Sequence, residues 1–160
     1  MSANPSIAIY LNDHLAGATA AMTLLDRMQT MPDIADLARE LQKEIGEDVD
    51  QLKSLMAHLK IEQSYPRRAM GWLAETFTEV KLFWDDDPNN KFAVFESLEM
   101  LFVGIEGKLA LWNVLETIST CNESLKFLNY AKLAERAMNQ KSKVDLFRRA
   151  AAKKAFCDPA

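Results

Sequence analysis

Apolar residues recur at helical spacing through almost the whole of this chain, and that period fixes the fold class first. Ile7, Leu11, Leu15, Ala18, Met22 and Leu25 form one stripe, and Ile34, Leu37, Leu41, Ile45, Leu52, Leu55 and Leu59 a second. Met70, Leu73, Phe77, Val80 and Trp84 form a third, and Phe95, Leu98, Phe102, Ile105, Leu109 and Trp112 a fourth. Steps of three and four residues place each set on one helix face. Strand signals, such as Asn-Gly turns between β-branched runs, are absent. Start signals agree with the stripes: Asn4-Pro5, Thr30-x-x-Asp33 around Pro32, Ser64 with Pro66, Asp87-Pro88, and Thr120-x-x-Glu123. The spacing predicts helices over about 6–29, 33–60, 66–84, 89–118 and 121–156, the last with a possible break near Ser142.

Four stripes of this length, joined by short polar links, predict an all-α four-helix bundle. A length of 160 residues suits a single domain, with the core bundle at about 6–118 and a C-terminal helical extension at about 121–156. The extension is expected to lie on the bundle as a side lid through Phe127, Tyr130, Ala131, Ala134 and Met138. The fourth helix is apolar beyond one stripe, since Met100, Leu101, Val103, Leu111 and Val114 surround it. Such a helix must be covered on several sides, by the C-terminal helix or by a second subunit, so a homodimer is expected.

The net charge of -4 opposes general nucleic-acid binding, which needs a positive footprint. The one basic cluster, Lys141, Lys143, Arg148, Arg149, Lys153 and Lys154, reads as a solvated helix face. The N-terminus shows no basic and apolar leader pattern, and the longest apolar runs, such as 100–105, are far too short for a membrane span. Cys121 and Cys157 stand alone, which favours a reducing compartment, and the expected location is the cytoplasm.

The informative residues are polar ones in apolar positions. At about 100° per residue, His14 falls near the centre of the first stripe and Asp48 near the centre of the second. Glu44 flanks Asp48, Glu99 and Glu106 share a flank of the fourth helix, and Lys81 and Lys108 sit at stripe edges. An isolated buried charge is strongly unfavourable, so these groups need partners. A buried polar network of His14, Glu44, Asp48, Glu106, Lys81 and Lys108 is expected, with His14 hydrogen-bonded to Asp48 or Glu44. All five glycines (Gly17, Gly46, Gly71, Gly104 and Gly107) fall inside predicted helices, for close helix approach or to leave room beside a polar group.

Three stretches, Y-L-N-D-H-L-A-G (10–17), E-I-G-E-D (44–48) and G-I-E-G-K-L-A-L-W (104–112), are similar to sequences of ferritin-like bundle proteins from bacteria that carry no assigned activity. The resemblance covers about residues 7–118 and implies a ferritin-like four-helix bundle. Active ferritin-like di-iron centres take a carboxylate from each of two helices and Glu-x-x-His from each of the other two. Here the residues three before His14 and His58 are Leu11 and Leu55, so that motif is absent.

Three functions remain open. The first is a structural or partner-binding bundle without a conventional di-iron site and without a cofactor. The second is an atypical centre for iron or another divalent metal, built from His14, Glu44, Asp48, Glu99 and Glu106 and doing iron oxidation, storage or oxygen chemistry. The third is a small-molecule pocket with a proton-linked His14–Asp48 pair. Nucleophile-elbow, P-loop and dinucleotide motifs are missing. His58 reads as a residue favoured by a helix C-terminus, Trp72, Trp84 and Trp112 as packing aromatics, and Asp85-Asp86-Asp87 as an acidic helix-start loop.

Overall fold

The computed structural model describes residues 4–64 and 90–157. Among them the chain forms four helices: α1 (Pro5–Met28), α2 (Ala35–His58), α3 (Lys91–Ser119) and α4 (Tyr130–Phe156), with a 3-10 turn at Glu123–Leu125 between the last two. No strand occurs among these residues. The helix expected at 66–84, with Lys81, Trp72, Trp84, Gly71 and the acidic run 85–87, lies outside the described residues.

Asparagines set most of the helix starts. Asn4 Oδ1 accepts from the Ser6 amide at 2.9 Å, with Pro5 opening the first turn. Asn90 Oδ1 accepts from the Phe92 and Ala93 amides at 3.0 and 3.2 Å. Asn129 Oδ1 accepts from the Lys132 amide at 3.0 Å, so α4 begins at Tyr130 instead of 121 and then runs unbroken past Ser142. The expected capping box at Thr120 does not form. The Thr120 hydroxyl instead turns back to the Thr117 carbonyl at 2.7 Å, a local bond that competes with forward capping. Thr30 behaves alike, donating to the Arg27 carbonyl at 2.8 Å, and α2 starts without a side-chain cap.

The end of α2 is a tight reversal. Lys60 takes the left-handed conformation at φ 56°. Its amide bonds the Ala57 carbonyl at 3.0 Å, and the Ile61 amide bonds the Met56 carbonyl at 2.9 Å. This pair of bonds is the Schellman arrangement, here with lysine where glycine is usual, and buried Ile61 supplies its hydrophobic contact. Asn12 of α1 then ties down the chain that follows. Its amide donates to the Glu62 carbonyl at 3.2 Å, and its carbonyl accepts from the Ser64 amide at 2.6 Å.

Cross-helix contacts fix the helix directions. Lys154 near the end of α4 meets Asp33 before α2, while Phe127 before α4 stacks on His58 at the end of α2. Hence α2 and α4 are antiparallel. Arg148 of α4 meets Glu99 of α3, and Tyr130 of α4 stacks near Trp112 of α3, so these two are antiparallel as well. It follows that α2 and α3 run parallel.

The core holds Leu11, Leu15 and Leu25 of α1, Leu41, Leu52 and Leu55 of α2, and Leu98, Ile105 and Trp112 of α3. Helix α4 packs along the length of α3. Its buried face is Leu133, Ala134, Ala137, Gln140 and Val144, whereas Phe127, Ala131 and Met138 are exposed. Leu101 and Leu111 of α3 are buried, while Val103 and Val114 remain exposed. No helix among the described residues is long and apolar enough to cross a membrane.

Candidate functional site

Two features adjoin at mid-bundle, a charged junction and an apolar cavity. Asp48 is 2% exposed, at a position where the α2 stripe requires an inward residue. Its Oδ2 accepts from Lys108 Nζ of α3 at 2.5 Å and from Gln140 Nε2 of α4 at 3.2 Å. Lys108 also donates to Gln140 Oε1. Arg136 Nη2 of α4 stands 3.1 Å from Asp48 Oδ1, near enough for charge attraction but not aligned as a hydrogen bond. The same guanidinium donates to the Glu44 carbonyl at 2.7 Å and to Glu47 at 3.1 Å. Burial pushes the Lys108 pKa below the usual lysine value; the Asp48 charge and hydrogen bond oppose that shift, Arg136 adds to it, and Glu44 opposes it.

Of the network residues expected from the sequence, Asp48 and Lys108 meet directly. Glu44 stands beside them, its carboxylate accepting from Lys143 Nζ at 3.1 Å. Glu106 lies further out on Lys141 at 2.7 Å with half its side chain exposed. Glu99 accepts from Arg148 Nη1 at 2.6 Å. Lys81 is outside the described residues. Among the described residues no hydrogen bond joins His14 to Asp48 or Glu44, because α3 and α4 supply the partners of Asp48. His14 instead packs edge-on against Tyr10, ring centroids 4.7 Å apart. Burial lowers its pKa, opposed by the Asp13 charge, so the neutral ring is favoured. The basic cluster on α4 is matched to acids across the bundle: Lys143 on Glu40 and Glu44, Lys141 on Glu106, Arg148 on Glu99, and Lys154 on Asp33.

Among the described residues the donor set does not make a di-iron centre. An ammonium occupies the middle of the junction, and the five residues of the metal reading are not drawn together. Among the described residues no group of three or more His, Cys, Asp or Glu side chains is placed to hold a metal ion.

The cavity, about 490 Å³, lies between α1, α2 and α3. Its walls are mostly aliphatic, with Leu24, Ile45, Leu52, Leu101 and Leu111 among them, and its polar lining includes His14, Asp48, Lys108 and Trp112. Gly17 and Gly104 border it and are exposed. A Cβ built at Gly17, Gly104 or Gly107 meets nothing within 4 Å among the described residues. Among the described residues, these glycines therefore leave space and make no close helix contact. Trp112 is 1% exposed, and its indole N–H has no hydrogen-bond partner.

Gln140, Arg136 and the free Trp112 N–H are absent from the sequence-based set. Gln140 was traceable, because it continues the spacing of Leu133, Ala137 and Val144 and so occupies an apolar position. The Trp112 N–H was not traceable, since an indole at a stripe position gives no sign of whether its nitrogen is paired. The chain matches no known protein family, no curated protein and no solved structure.

Proposed function

We propose that this protein is a ferritin-like bundle that binds a small, largely apolar molecule between α1, α2 and α3, and that its charged junction is structural. The cavity carries the reading. Its volume of about 490 Å³ falls within the roughly 300–1,000 Å³ typical of ligand pockets, and it pairs apolar walls with a few convergent polar groups. The junction supports a binding role over catalysis. Its charges compensate one another and leave no free acid or base beside a nucleophile. The exposed cysteines Cys121 and Cys157 suit work in the cytoplasm.

The test is calorimetric titration with naphthalene, an apolar probe, using the full chain. Binding at one site per chain is expected, with loss of binding in Gly17→Leu/Gly107→Leu, since both positions line the cavity and a Cβ built there meets nothing within 4 Å among the described residues. No binding by the parent, or binding untouched by this filling pair, refutes the reading. Exposed Val103 and Val114, eleven apart and so on one face of α3, favour a homodimer as a second element. Sedimentation of an 18.1 kDa species alone at high concentration refutes that element.

A further inference from the structure

We infer that the cavity takes an apolar molecule ending in a primary or secondary amine, its ammonium held at the mouth by Asp13 with the His14 ring as a second acceptor. This inference rests on the binding role proposed above. Two observations carry it: the change in polarity from wall to mouth, and the one lining charge that stands without a counter-ion among the described residues.

The first is the gradient. Leu24, Ile45, Leu101 and Leu111 are buried in the cavity wall, whereas Asp13, Gly17, Val103 and Gly104, which also line it, are exposed. The exposed set comes from α1 and α3 and marks the mouth between them. An apolar body gains by moving inward onto the aliphatic wall, and a charged end gains by staying at the mouth, where water still reaches it.

The second is the sign of the charge left over. Asp13, Asp48, Glu99 and Lys108 are the charged side chains of the lining among the described residues. Asp48 and Lys108 pair with each other at 2.5 Å, and Glu99 pairs with Arg148 at 2.6 Å. Asp13 takes part in no ion pair or hydrogen bond among the described residues; its charge acts only on the neighbouring His14. Burial favours the neutral form of that ring, which keeps one nitrogen as an acceptor. No hydrogen bond occupies either His14 nitrogen among the described residues, and neither is sealed in the core as the Trp112 nitrogen is. Consecutive on α1 and both bordering the cavity, Asp13 and His14 offer a carboxylate and a neutral acceptor to one ammonium. A ligand carboxylate is repelled by Asp13 and finds the lining's cation, Lys108, already committed to Asp48.

Four probes on one ring system separate the terms: 2-naphthylmethylammonium, its N-trimethyl analogue, naphthalene and 2-naphthoate, titrated calorimetrically into the full chain at neutral pH. The primary ammonium is expected to bind about fivefold more tightly than naphthalene, the scale of one exposed ion pair, and 2-naphthoate more weakly than naphthalene. The trimethyl cation carries the charge without an N–H and is expected between the primary ammonium and naphthalene. Asp13→Asn is expected to abolish the preference of both cations over naphthalene, and His14→Phe to erase the difference between the two cations. Circular dichroism checks that each variant is folded; if Asp13→Asn fails to fold, the parent decides, since added salt must shrink the cation preference there. A primary ammonium no tighter than naphthalene, a preference that survives Asp13→Asn or added salt, or tighter binding of 2-naphthoate overturns this inference and leaves the binding role standing. A trimethyl cation as tight as the primary ammonium overturns the place given to His14. Failure of every probe, naphthalene included, refutes the binding role itself.

Discussion

Replacing Asp48 by alanine removes the only carboxylate among the described residues that pairs directly with Lys108. The side chain of Lys108 is 14% exposed and that of Asp48 2%, so the ammonium left behind has little water to turn to. Breaking a buried ion pair from one side destabilises by about 3–5 kcal/mol. Two features move the expectation to the lower end, about 3 kcal/mol. Gln140 Oε1 still accepts from Lys108, and Arg136, a third exposed, can turn fully to Glu47 and solvent. For a domain of this size, that corresponds to a loss of roughly 10 °C in Tm, at about 2–4 °C per kcal/mol.

The informative comparison is with Asp48→Leu/Lys108→Met/Gln140→Leu, which removes the charges and the amide together. Apolar replacement of a whole buried ionic group is often neutral or stabilising, so the triple variant is expected within about 1 kcal/mol of the parent. Urea unfolding followed by circular dichroism at pH 7 gives both numbers, provided the slope with denaturant is unchanged. A loss below about 1 kcal/mol for Asp48→Ala refutes the claim that the junction is desolvated. A triple variant less stable than Asp48→Ala refutes the claim that stranded charge, and not lost packing, is what the single change introduces.

Three further outcomes follow from the fold. Lys60→Gly is expected to raise urea-unfolding stability by about 0.5–1 kcal/mol, because glycine relieves the left-handed Cβ strain at φ 56° while adding freedom to the unfolded chain; a decrease would mean that the lysine side chain contributes to the turn. Asn12→Ala is expected to lose about 1–2 kcal/mol and to speed amide exchange at Ser64, since it removes both bonds that hold the chain after α2; unchanged exchange would refute the tie. The His14 pKa is lowered in the folded state by burial, with Asp13 opposing, so the unfolded chain binds the proton more readily. The stability present above the unfolded value of about 6.5 should therefore decline as pH falls through and below it, and His14→Gln should flatten that decline in urea midpoints taken between pH 7 and 5; an identical slope in the variant refutes the assignment.

Legibility from the sequence followed the strength of each side chain's preference. In α2 the strictly spaced Ile34, Leu37, Leu41, Ile45, Leu52 and Leu55 are buried, and Asp48, at an apolar place in that series, is buried with them. Around α4 the large residues misled: Phe127, just before it, and Met138 are exposed, and small Ala134 and Ala137 with polar Gln140 face inward. Alanine and glutamine weigh little in any apolar pattern, yet they suit a face that packs closely on α3 and must also satisfy a buried charge. Starts marked by asparagine next to proline, as at Asn4, were readable. Those marked by threonine were not, since a threonine hydroxyl bonds backward to its own helix as easily as it caps the next one.

His14 and Asp48 looked alike in sequence, each a titratable group in an apolar stripe, and the bundle treats them in opposite ways. The difference lies in what each neighbouring helix can offer. Asp48 faces α3 and α4, which carry Lys108, Arg136 and Gln140, so its charge is met by long donors that reach across the core. His14 faces the cavity and Tyr10, where the Asp13 charge only partly offsets burial, and the ring that carries no charge is favoured. A carboxylate can be retained in a core only with its counter-ions, whereas an imidazole can shed its proton and remain. The same division separates the two halves of the site. The α2–α3–α4 side is filled by paired charge, and the α1–α2–α3 side is left open, with mostly aliphatic walls and charged groups among its lining.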